Sequence, residues 1–432
     1  MKLKQYKLGD IAKIEISGVD KKTIEGETPV RLCNFVDVYY NWAITKEKAK
    51  SFMAASAKQT EIDKCSIGKG MVAITKDSET RDDIGVATYI ADDFEDVLLG
   101  YHCALITPNP AVVDGKYLNA FMHTRYIQKY FENNASGSGQ RYTLSNDTIS
   151  NIPVLLPSIE EQHIIGKLLA DLDRKIELNK QINDNLEEMA KQLYDYWFVQ
   201  FDFPNEEGKP YKSSGGAMVW NDKLKREIPN GWTVKTVGTY ANCKSGYAIN
   251  SSDFKAKGIP VIKIGNIQED YTLNMNGCQY IDNNANKQFY AYQNDVVIAM
   301  TGATIGKFAI VPYSEKGYFV NQRVGKFELG NNPIEKMPYL INSLKIDYFR
   351  NQIFQLASGC AQPNISAEQI NNISLLYPLT KYLSEYNMKC KWMYEQMVNC
   401  RYQIDMLTKL RDELLPLLMN GQATVNYHLS DD

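Results

Sequence analysis

Long apolar runs are missing from this chain of 432 residues. No uninterrupted apolar stretch approaches the ~18 residues that a membrane-spanning helix needs. The N-terminal sequence MKLKQYKLGD also lacks the apolar core of a secretory signal. These absences argue against a membrane protein and a secreted protein, and we expect the chain to remain in the cytoplasm.

Clustered metal ligands are missing too. The eight cysteines, at positions 33, 65, 103, 243, 278, 360, 390 and 400, never approach CxxC spacing. The four histidines, at positions 102, 123, 163 and 428, do not cluster. We therefore expect neither a zinc site nor a disulfide framework.

Catalytic motifs are also missing. The segment GATIGK, at 302–307, has three residues between its glycines where a phosphate loop has four, and Phe308 stands where Ser or Thr would hold magnesium. The Gly pair in ASGSGQ, at 135–140, follows a helix-like segment rather than a strand. No Asn/Asp-Pro-Pro-aromatic segment occurs in the sequence, so we expect no adenine-methylating active site in this chain.

An excess of positive charge is the last absence. The formal net charge is −3, which argues against a protein that wraps nucleic acid over its whole surface, because phosphate neutralisation needs Lys and Arg in excess. Residues 1–157 hold 19 basic and 20 acidic residues, and residues 229–378 hold 13 basic and 10 acidic residues. Most of the acidic excess lies outside these two ranges, so a local basic face on each remains compatible with the composition.

What the chain does contain is a long internal repeat. IGVATYI, from Ile84, returns as IGKFAIV, from Ile305. The helix-like segment that begins at Tyr117 returns at Tyr339, at almost the same separation along the chain. A repeat of this length indicates a duplicated domain, because solenoid repeats run roughly 20 to 50 residues. Two copies of one domain suggest a target with two parts.

Each copy is rich in short strand-like runs. Segments of Val, Ile, Tyr and Thr that are broken by Gly, Asn and Asp, such as TPVRLCNFVDVYY, GMVAITK and DVVIAM, predict a compact β-rich domain. One or two helices near 116–132 and 336–357 complete the two copies. The predicted fold class is α+β, with copies at 1–157 and 229–378. Residues 201–228 are rich in Gly, Pro and charge and predict a surface linker, and residues 422–432 form a tail.

A heptad stripe follows each copy. Residues on the stripe step by alternating four and three from Leu172 to Trp197 and again from Leu379 to Leu414. This spacing predicts coiled-coil helices over 158–200 and 379–421, rather than helices packed only on their own domain. Each would extend roughly 60 Å at about 1.5 Å per residue, so the two can pair with each other. Asn179 and Asn183 on the seam have two interpretations, namely exposed polar residues without a role or buried residues that fix the register of the pairing, and we favour the second.

Several of these segments resemble one known family. IPNGW at 228–232, followed by Val237-Gly238, is similar to the start of a target recognition domain in the specificity subunit of type I restriction-modification systems. LPSIEEQHIIGKLLADLDRKIELN, from Leu156, resembles the junction between such a domain and its conserved helix, and QLYDYWFVQFDFPNEEGKPYKSSGGAMVW resembles the segment after that helix. The resemblance covers essentially the whole chain. The second junction, YPLTKYLSEYNMK, departs from the EEQ pattern of the first.

The resemblance implies a DNA reader that is not itself an enzyme. In this family, two target recognition domains each bind one half of an interrupted double-stranded DNA site. Two long helices separate the domains, form an antiparallel coiled coil, set the spacing and dock the modification subunits. The implied partners are DNA, two DNA adenine methyltransferase subunits, which carry S-adenosylmethionine, and restriction and translocation subunits. No cofactor is implied for this chain.

Loop residues near the repeated segments are the candidate DNA contacts. Arg can pair with guanine, and Gln or Asn with adenine, although a phosphate contact is the alternative for any single residue. We align Thr75, Lys76 and Arg81 with Thr301, Thr304 and Lys307, and His102-Cys103 with Gln322-Arg323. The full candidate set is Thr75, Lys76, Arg81, Arg141 and Tyr142 in the first copy and Thr301, Thr304, Lys307, Gln322, Arg323, Gln362 and Asn364 in the second.

Two function classes remain open at this point. The favoured one is the DNA-specificity subunit of a methylation and restriction complex. The alternative is a coiled-coil scaffold or adaptor built from the same duplicated domains without specific DNA binding. A self-sufficient methyltransferase would require the motifs that are missing.

Overall fold

The computed structural model of the protein describes residues 2–138, 141–282, 286–357 and 363–425. The chain divides into two compact units, Met1–Glu177 with Asp405–Asp432 and Leu178–Ile404. Each unit contains one copy of the repeat and one segment from each of two long helices. The predicted α+β fold with two duplicated β-rich domains is therefore confirmed.

The first unit is rich in short strands. They are β1 (Lys4–Lys7), β2 (Ala12–Ile16), β3 (Thr28–Cys33), β4 (Ala43–Ile44), β5 (Met53–Ala57), β6 (Val72–Thr75), β7 (Asp77–Ser78), β8 (Ala87–Ile90), β9 (Val97–Leu99), β10 (Cys103–Pro108), β11 (Ser136–Ser138), β12 (Arg141–Thr143) and β13 (Pro153–Leu156). These strands form sheets in the orders β2-β10-β6-β8-β4, β5-β3-β9 and β11-β12-β7, and β1 pairs with β13. The β3–β9 and β4–β8 pairs are parallel.

The helices of the first copy are short, and a long helix follows them. They are α1 (Leu8–Ile11), α2 (Phe35–Tyr40), α3 (Lys46–Ala49), α4 (Gln59–Cys65), α5 (Gly115–Met122), α6 (Arg125–Asn134), α7 (Asn146–Ser150) and the long α8 (Ile159–Tyr194). Helices α5 and α6 confirm the helical segment predicted near 116–132. Helix α2 is a correction, because FVDVYY was expected to belong to a strand-like run. Asp37 accepts a hydrogen bond from Asn34 N at 2.7 Å and so caps this helix.

The second unit repeats the plan. Its strands are β14 (Met218–Asn221), β15 (Arg226–Pro229), β16 (Thr233–Thr236), β17 (Asn242–Ser245), β18 (Ile259–Ile262), β19 (Tyr280–Ile281), β20 (Tyr290–Ala291), β21 (Val296–Ala299), β22 (Phe308–Ile310), β23 (Tyr318–Val320), β24 (Val324–Glu328) and β25 (Ser374–Tyr377). These strands form sheets in the orders β17-β24-β21-β22 and β19-β18-β23-β20, and β14 pairs with β15 and β16 with β25. Its helices are α9 (Val237–Tyr240), α10 (Met337–Lys345), α11 (Asp347–Ala357), α12 (Ala367–Asn371) and the long α13 (Thr380–Met419).

Each copy is closed by its own first and last strands. In the first copy, β1 pairs antiparallel with β13, and Lys4 lies opposite Leu156. In the second copy, β16 pairs antiparallel with β25, and Thr233 lies opposite Tyr377. The chain therefore begins and ends each copy at one place, as expected for an independent domain.

The long helices pair in an antiparallel manner in the second unit. Asn179 Nδ2 on α8 donates to Gln403 Oε1 on α13 at 3.2 Å. Further along α8, the ring of Tyr194 lies 6.1 Å from that of Tyr386. Rising residue numbers on α8 therefore match falling numbers on α13, which confirms the predicted antiparallel pairing. The contact of Asn179 also fits the predicted role of a seam Asn in register.

The same helices also pack together in the first unit. Leu169 and Leu172 of α8 belong to one apolar cluster with Leu415 and Leu418 of α13. An ion pair joins Asp173 to Arg411 at 3.5 Å.

Most of the predicted seam is buried or half-buried, and two residues are exposed. Leu379 and Leu410 were placed on the stripe, but they are 47% and 44% exposed. The buried seam residues are Ile176, Asn179, Leu186, Ala190 and Trp197 on α8 and Leu383, Tyr386, Cys390, Met393, Met397 and Cys400 on α13.

The segment 201–228 is exposed over most of its length, as its composition predicted, but its ends are buried in the second unit. Phe201 and Phe203 are 2% and 0% exposed, and the ring of Phe203 stacks on Trp232 at 4.7 Å. Just before it, α8 continues as a π-helical turn, Asp195–Val199, which buries Trp197. Aromatic side chains therefore attach this segment to the core of the second unit.

Within the described part of the chain, no helix has both the length and the apolar character to cross a membrane.

Candidate nucleic-acid interface

Matching backbone hydrogen bonds build one site in each copy. The site forms where the chain after β6 or β21 meets the turn before β10 or β24 and the segment before α7 or α12. The matching bonds are Lys76 N to His102 O (2.9 Å) and Leu144 N to Lys76 O (2.8 Å) in the first copy, and Met300 N to Arg323 O (3.0 Å) and Ile365 N to Met300 O (2.9 Å) in the second. Residues at corresponding places in the two copies can therefore be compared directly.

A glycine shapes the loop beside this site in both copies. Gly85 has φ 78° and Gly306 has φ 79°, a left-handed conformation that glycine adopts readily and other residues rarely adopt. Gly85 N donates to Thr75 O at 3.1 Å, and Gly306 N donates to Ala299 O at 2.9 Å. A Cβ atom at Gly85 would lie 2.2 Å from the ring of Phe131. The loop geometry explains why Ile-Gly recurs at the repeat offset.

A buried carboxylate gathers basic side chains at the site of the first copy. Asp77 is 7% exposed. Its Oδ2 atom lies 2.5 Å from His102 Nδ1, 3.1 Å from Arg141 Nη2 and 3.2 Å from Lys76 Nζ. The Arg141 side chain nevertheless remains 56% exposed. We call these four residues the Asp77 cluster. Its net charge is positive, because one carboxylate faces both Lys76 and Arg141.

Burial and hydrogen bonding act in opposite directions on Asp77. Burial raises the pKa of its carboxyl, but hydrogen bonds from Thr143, His102 and Arg141 and the charge of Lys76 outweigh burial and lower the pKa to about 2. Asp77 is therefore ionised at physiological pH. His102 has φ 71°, a left-handed backbone conformation that is uncommon for a residue with a side chain. The surrounding hydrogen bonds hold this turn in place.

The other predicted residues of the first copy have different environments. The guanidinium of Arg81 lies 5.0 Å from the ring centroid of Tyr142, a cation–π contact beside the Asp77 cluster. Thr75 is 0% exposed, and its Oγ1 accepts a hydrogen bond from Val86 N at 3.0 Å. Thr75 therefore holds the loop from inside the sheet, and its side chain is not available for the DNA contact that the sequence predicted.

The second copy has an open cleft at the equivalent place, with a volume of about 450 Å³. Four predicted residues meet there, namely Thr301, Gln322, Arg323 and Asn364. Gln322 and Arg323 are exposed, and within the described ranges no ion pair of Arg323 is found. Ser245, Met300, Pro363, Ile365 and Ser366 complete the lining.

Two further candidates of the second copy, Lys307 and Thr304, do not line this cleft. Lys307 lines a separate pocket of about 300 Å³ and pairs with Glu269 at 2.9 Å. Thr304 lines neither pocket, and its buried Oγ1 has no hydrogen-bond partner among the described residues. The Oγ1 atom of Thr301 is likewise buried and without a described partner. Gln362 lies outside the described residues.

The two copies also coincide with the two matches to a known family. The family described as type I restriction modification DNA specificity domain matches residues 2–188 and 229–382. The chain belongs to this family. The resemblance found in the sequence is thereby confirmed.

Individual members of the specificity family are similar over most of their length. The chain is 26% identical over 328 residues to the type I restriction enzyme MjaIX specificity subunit of Methanocaldococcus jannaschii, which covers 74% of this chain and 71% of that protein. It is 22% identical over 397 residues to the HindI specificity subunit of Haemophilus influenzae, which covers 80% and 85%. The crystal structure of a type I restriction-modification S subunit from M. genitalium has a similar fold, with a TM-score of 0.61, 15% identity and coverage of 99% and 97%.

The structure corrects the alignment between the two specificity domains of this chain. The matching backbone bonds pair His102 with Arg323, whereas the sequence comparison paired it with Gln322. They likewise pair Lys76 with Met300 rather than with Thr304. The reason is a difference in loop length, because residues 77–84 precede the loop glycine in the first copy and only residues 301–305 precede it in the second.

Asp77 and His102 are the site residues that sequence reasoning missed. His102 had a signal, because the offset that joins Ile84 to Ile305 also leads from His102 to Arg323. Asp77 had none, since its partner Arg141 lies 64 residues further along the chain and only strand pairing brings them together.

Proposed function

We propose that this chain is the DNA-reading subunit of a type I restriction-modification complex. Each copy is a target recognition domain that binds one half of a bipartite site in double-stranded DNA, and the paired helices α8 and α13 set the spacing between the halves. One observation carries the proposal: a single hydrogen-bonded frame holds different side chains in the two copies, such as His102 against Arg323. One frame with two sets of side chains suits two different half-sites.

The exposed polar side chains at the two sites have the chemistry for this task. Arg141 and Arg323 can donate two hydrogen bonds to guanine, and Gln322 and Asn364 can pair with adenine. Lysines around the sites would contact phosphates, which makes binding dependent on salt. Catalysis belongs to the partners, which are two DNA adenine methyltransferase subunits and the restriction and translocation subunits. The chain itself supplies no active site and needs no cofactor.

Methylome sequencing tests this proposal. The chain is expressed with its modification subunit in cells that lack other adenine methylation, and methylated adenines are mapped. We expect one interrupted motif with two specific halves. If the complex assembles but neither methylates a defined motif nor binds one DNA sequence in preference to others, the scaffold or adaptor alternative holds instead.

A second apolar stripe on the long helices supports the docking role. On α8 and its π-helical extension, Leu178, Ile182, Met189 and Tyr196 are 54%, 36%, 46% and 36% exposed and recur at intervals of four or seven residues. This stripe differs from the buried seam, so pairing with α13 does not cover it. Met388, Trp392 and Tyr402 form a similar exposed set on α13. Exposed apolar surface of this kind on long helices is typical of a protein interface.

Removing two residues of the exposed apolar set on α13, Met388 and Trp392, should weaken the binding of the modification subunit. Met388 and Trp392 are 74% and 48% exposed, so changing both to Ser should leave the melting temperature almost unchanged. Loss of a buried aromatic anchor at an interface costs about 2 kcal/mol or more, which corresponds to a loss of affinity of roughly 30-fold. Co-purification and titration with the modification subunit measure the effect.

Lys389→Ser is the matched control for the docking experiment. Lys389 follows Met388 on α13, and its exposed ion pair with Glu385 contributes little to the stability of the helix. An unchanged affinity in the double variant, together with an unchanged fold, would place the docking surface elsewhere.

A further inference from the structure

We propose that Asp77 is a positioning residue that holds Arg141 to read a guanine in the first half-site. The inference rests on the proposed function and assigns one base contact within it. Asp77 does not itself reach the surface, because it is 7% exposed, whereas Arg141 lies above it with 56% of its side chain exposed. Their order, carboxylate inside and guanidinium outside, is the arrangement that a supported DNA-reading arginine requires.

The contacts of Arg141 with the Asp77 cluster are made through one nitrogen of the guanidinium. Nη2 donates to Asp77 Oδ2 at 3.1 Å and lies 2.6 Å from His102 Nδ1, so three of the five N–H donors of the fixed arginine fork, on Nη1 and Nε, lie outside these two contacts. Guanine offers two acceptors, O6 and N7, to this fork in the major groove. A guanidinium that is held in place before DNA binds loses less conformational entropy on binding, so it discriminates more strongly between bases.

A purely phosphate-binding role fits the carboxylate less well. A buried, ionised Asp77 beside the arginine reduces the attraction between Arg141 and a phosphate. The same carboxylate improves base reading, because it fixes the direction of the donors. His102 and Lys76 also contact Asp77 Oδ2, and the left-handed turn at His102 is maintained at a conformational cost. The arrangement is therefore built around the carboxylate.

The second copy offers an internal comparison. The structure places Thr301 at the position of Asp77, because Asp77 pairs with Thr143 on β12 and Thr301 forms a bridge with Asn364. The offset that joins Ile84 to Ile305 carries Arg141 to Gln362. A neutral amide at that position needs no carboxylate to orient it. The carboxylate thus occurs in the copy that has the arginine.

The test measures base preference at every position of the motif. The complete methylating complex is prepared with the wild-type chain, Asp77→Asn, Arg141→Ala and the double variant, and binding is measured on duplexes that change one base pair at a time. We expect Asp77→Asn to reduce discrimination about 10- to 100-fold at one G·C pair of the first half-site. Arg141→Ala should affect the same pair, the double variant should equal Arg141→Ala, and the second half-site should not change.

Asp83→Asn is the matched control, since Asp83 is an exposed carboxylate in the same loop that contacts Tyr39 instead of Arg141. It removes the same charge and should preserve discrimination at every position. A uniform loss on all DNA, or a loss at different positions in Asp77→Asn and Arg141→Ala, overturns the inference. If Asp77→Asn does not fold, Arg141→Ala decides alone, and unchanged preference for every G·C pair in that variant overturns it. Wild-type complex without any sequence preference would instead contradict the proposed function.

Discussion

Exchange of residues 229–378 for the same domain of another specificity-family member should replace one half of the methylated motif and leave the other half intact. The reason is that both graft points lie side by side, where Thr233 of β16 is opposite Tyr377 of β25. The side chains at the cleft of the second copy all belong to the exchanged range. Methylome sequencing measures the result. One half-site should change completely to that of the donor domain, and the other half-site should not change.

The graft must keep the polar contacts between the domain and α13. Asn387 of α13 accepts from Tyr339 N and donates to Tyr240 OH, both at 3.0 Å, and it is buried. The donor domain should therefore carry Tyr at position 240, whereas position 339 donates through its backbone and needs only a residue other than Pro. Exchange of residues 2–156 is the matched experiment and should change the other half. If either exchange altered both halves together, the assignment of one domain to one half-site would be wrong.

The large-scale architecture was predictable because it depends on periodicity. The repeat offset places the same Ile-Gly at Ile84 and Ile305, and the structure gives both following glycines the same positive φ. The heptad spacing likewise depends on local steps of three and four residues, and burial of Leu186 and Ala190 confirms the seam. Patterns of this kind can be recognised in the sequence without knowledge of contacts between residues that lie far apart in the chain.

Helix ends and short helices were less predictable for a local reason. Leu379 and Leu410 fit the heptad spacing, but the structure leaves both exposed. Leu379 precedes the first residue of α13, and Leu410 is exposed although its neighbour Arg411 pairs with Asp173 of α8. FVDVYY has the composition of a strand, and a cap between Asn34 and Asp37 decides in favour of a helix. The β propensity of the Val, Tyr and Phe residues predicts a strand, and a prediction from composition does not include the effect of this cap.

The candidate site was only partly predictable because cross-strand register decides which side chains meet. Arg141 and Lys76 were named from the sequence, but their common partner, Asp77, depends on the pairing of β12 with β7. Thr75 looked equivalent to the neighbouring candidates, yet strand alternation and burial turn its side chain inward. The sequence identified the right loops, and the fold determines which side chains of each loop are available.

Insertion of one heptad into each long helix should abolish methylation of the original motif. Asn179 and Gln403 contact each other, so matched insertions after these residues keep the seam in phase. Each insertion lengthens its helix by about 10 Å at ~1.5 Å per residue. That length corresponds to about three base pairs at ~3.4 Å each. Three base pairs also rotate B-DNA by roughly a third of a turn, whereas a straight helix drifts by only ~20° per heptad. Both the distance and the rotation between the half-sites would then no longer match the original site.

A seven-residue insertion at Gly208 is the control for chain length. Gly208 lies in an exposed turn with open space around it, outside both helices, so this variant should methylate the original motif. Among the paired-insertion products, a motif with the same two halves and a spacer longer by about three base pairs would identify the helices as the ruler most directly. A variant that melts like the wild type and still methylates the original motif with its original spacer would contradict the proposal. In that case the distance between half-sites would have to be set by the recognition domains or by the partner subunits, because the lengthened helices would have had no effect on it.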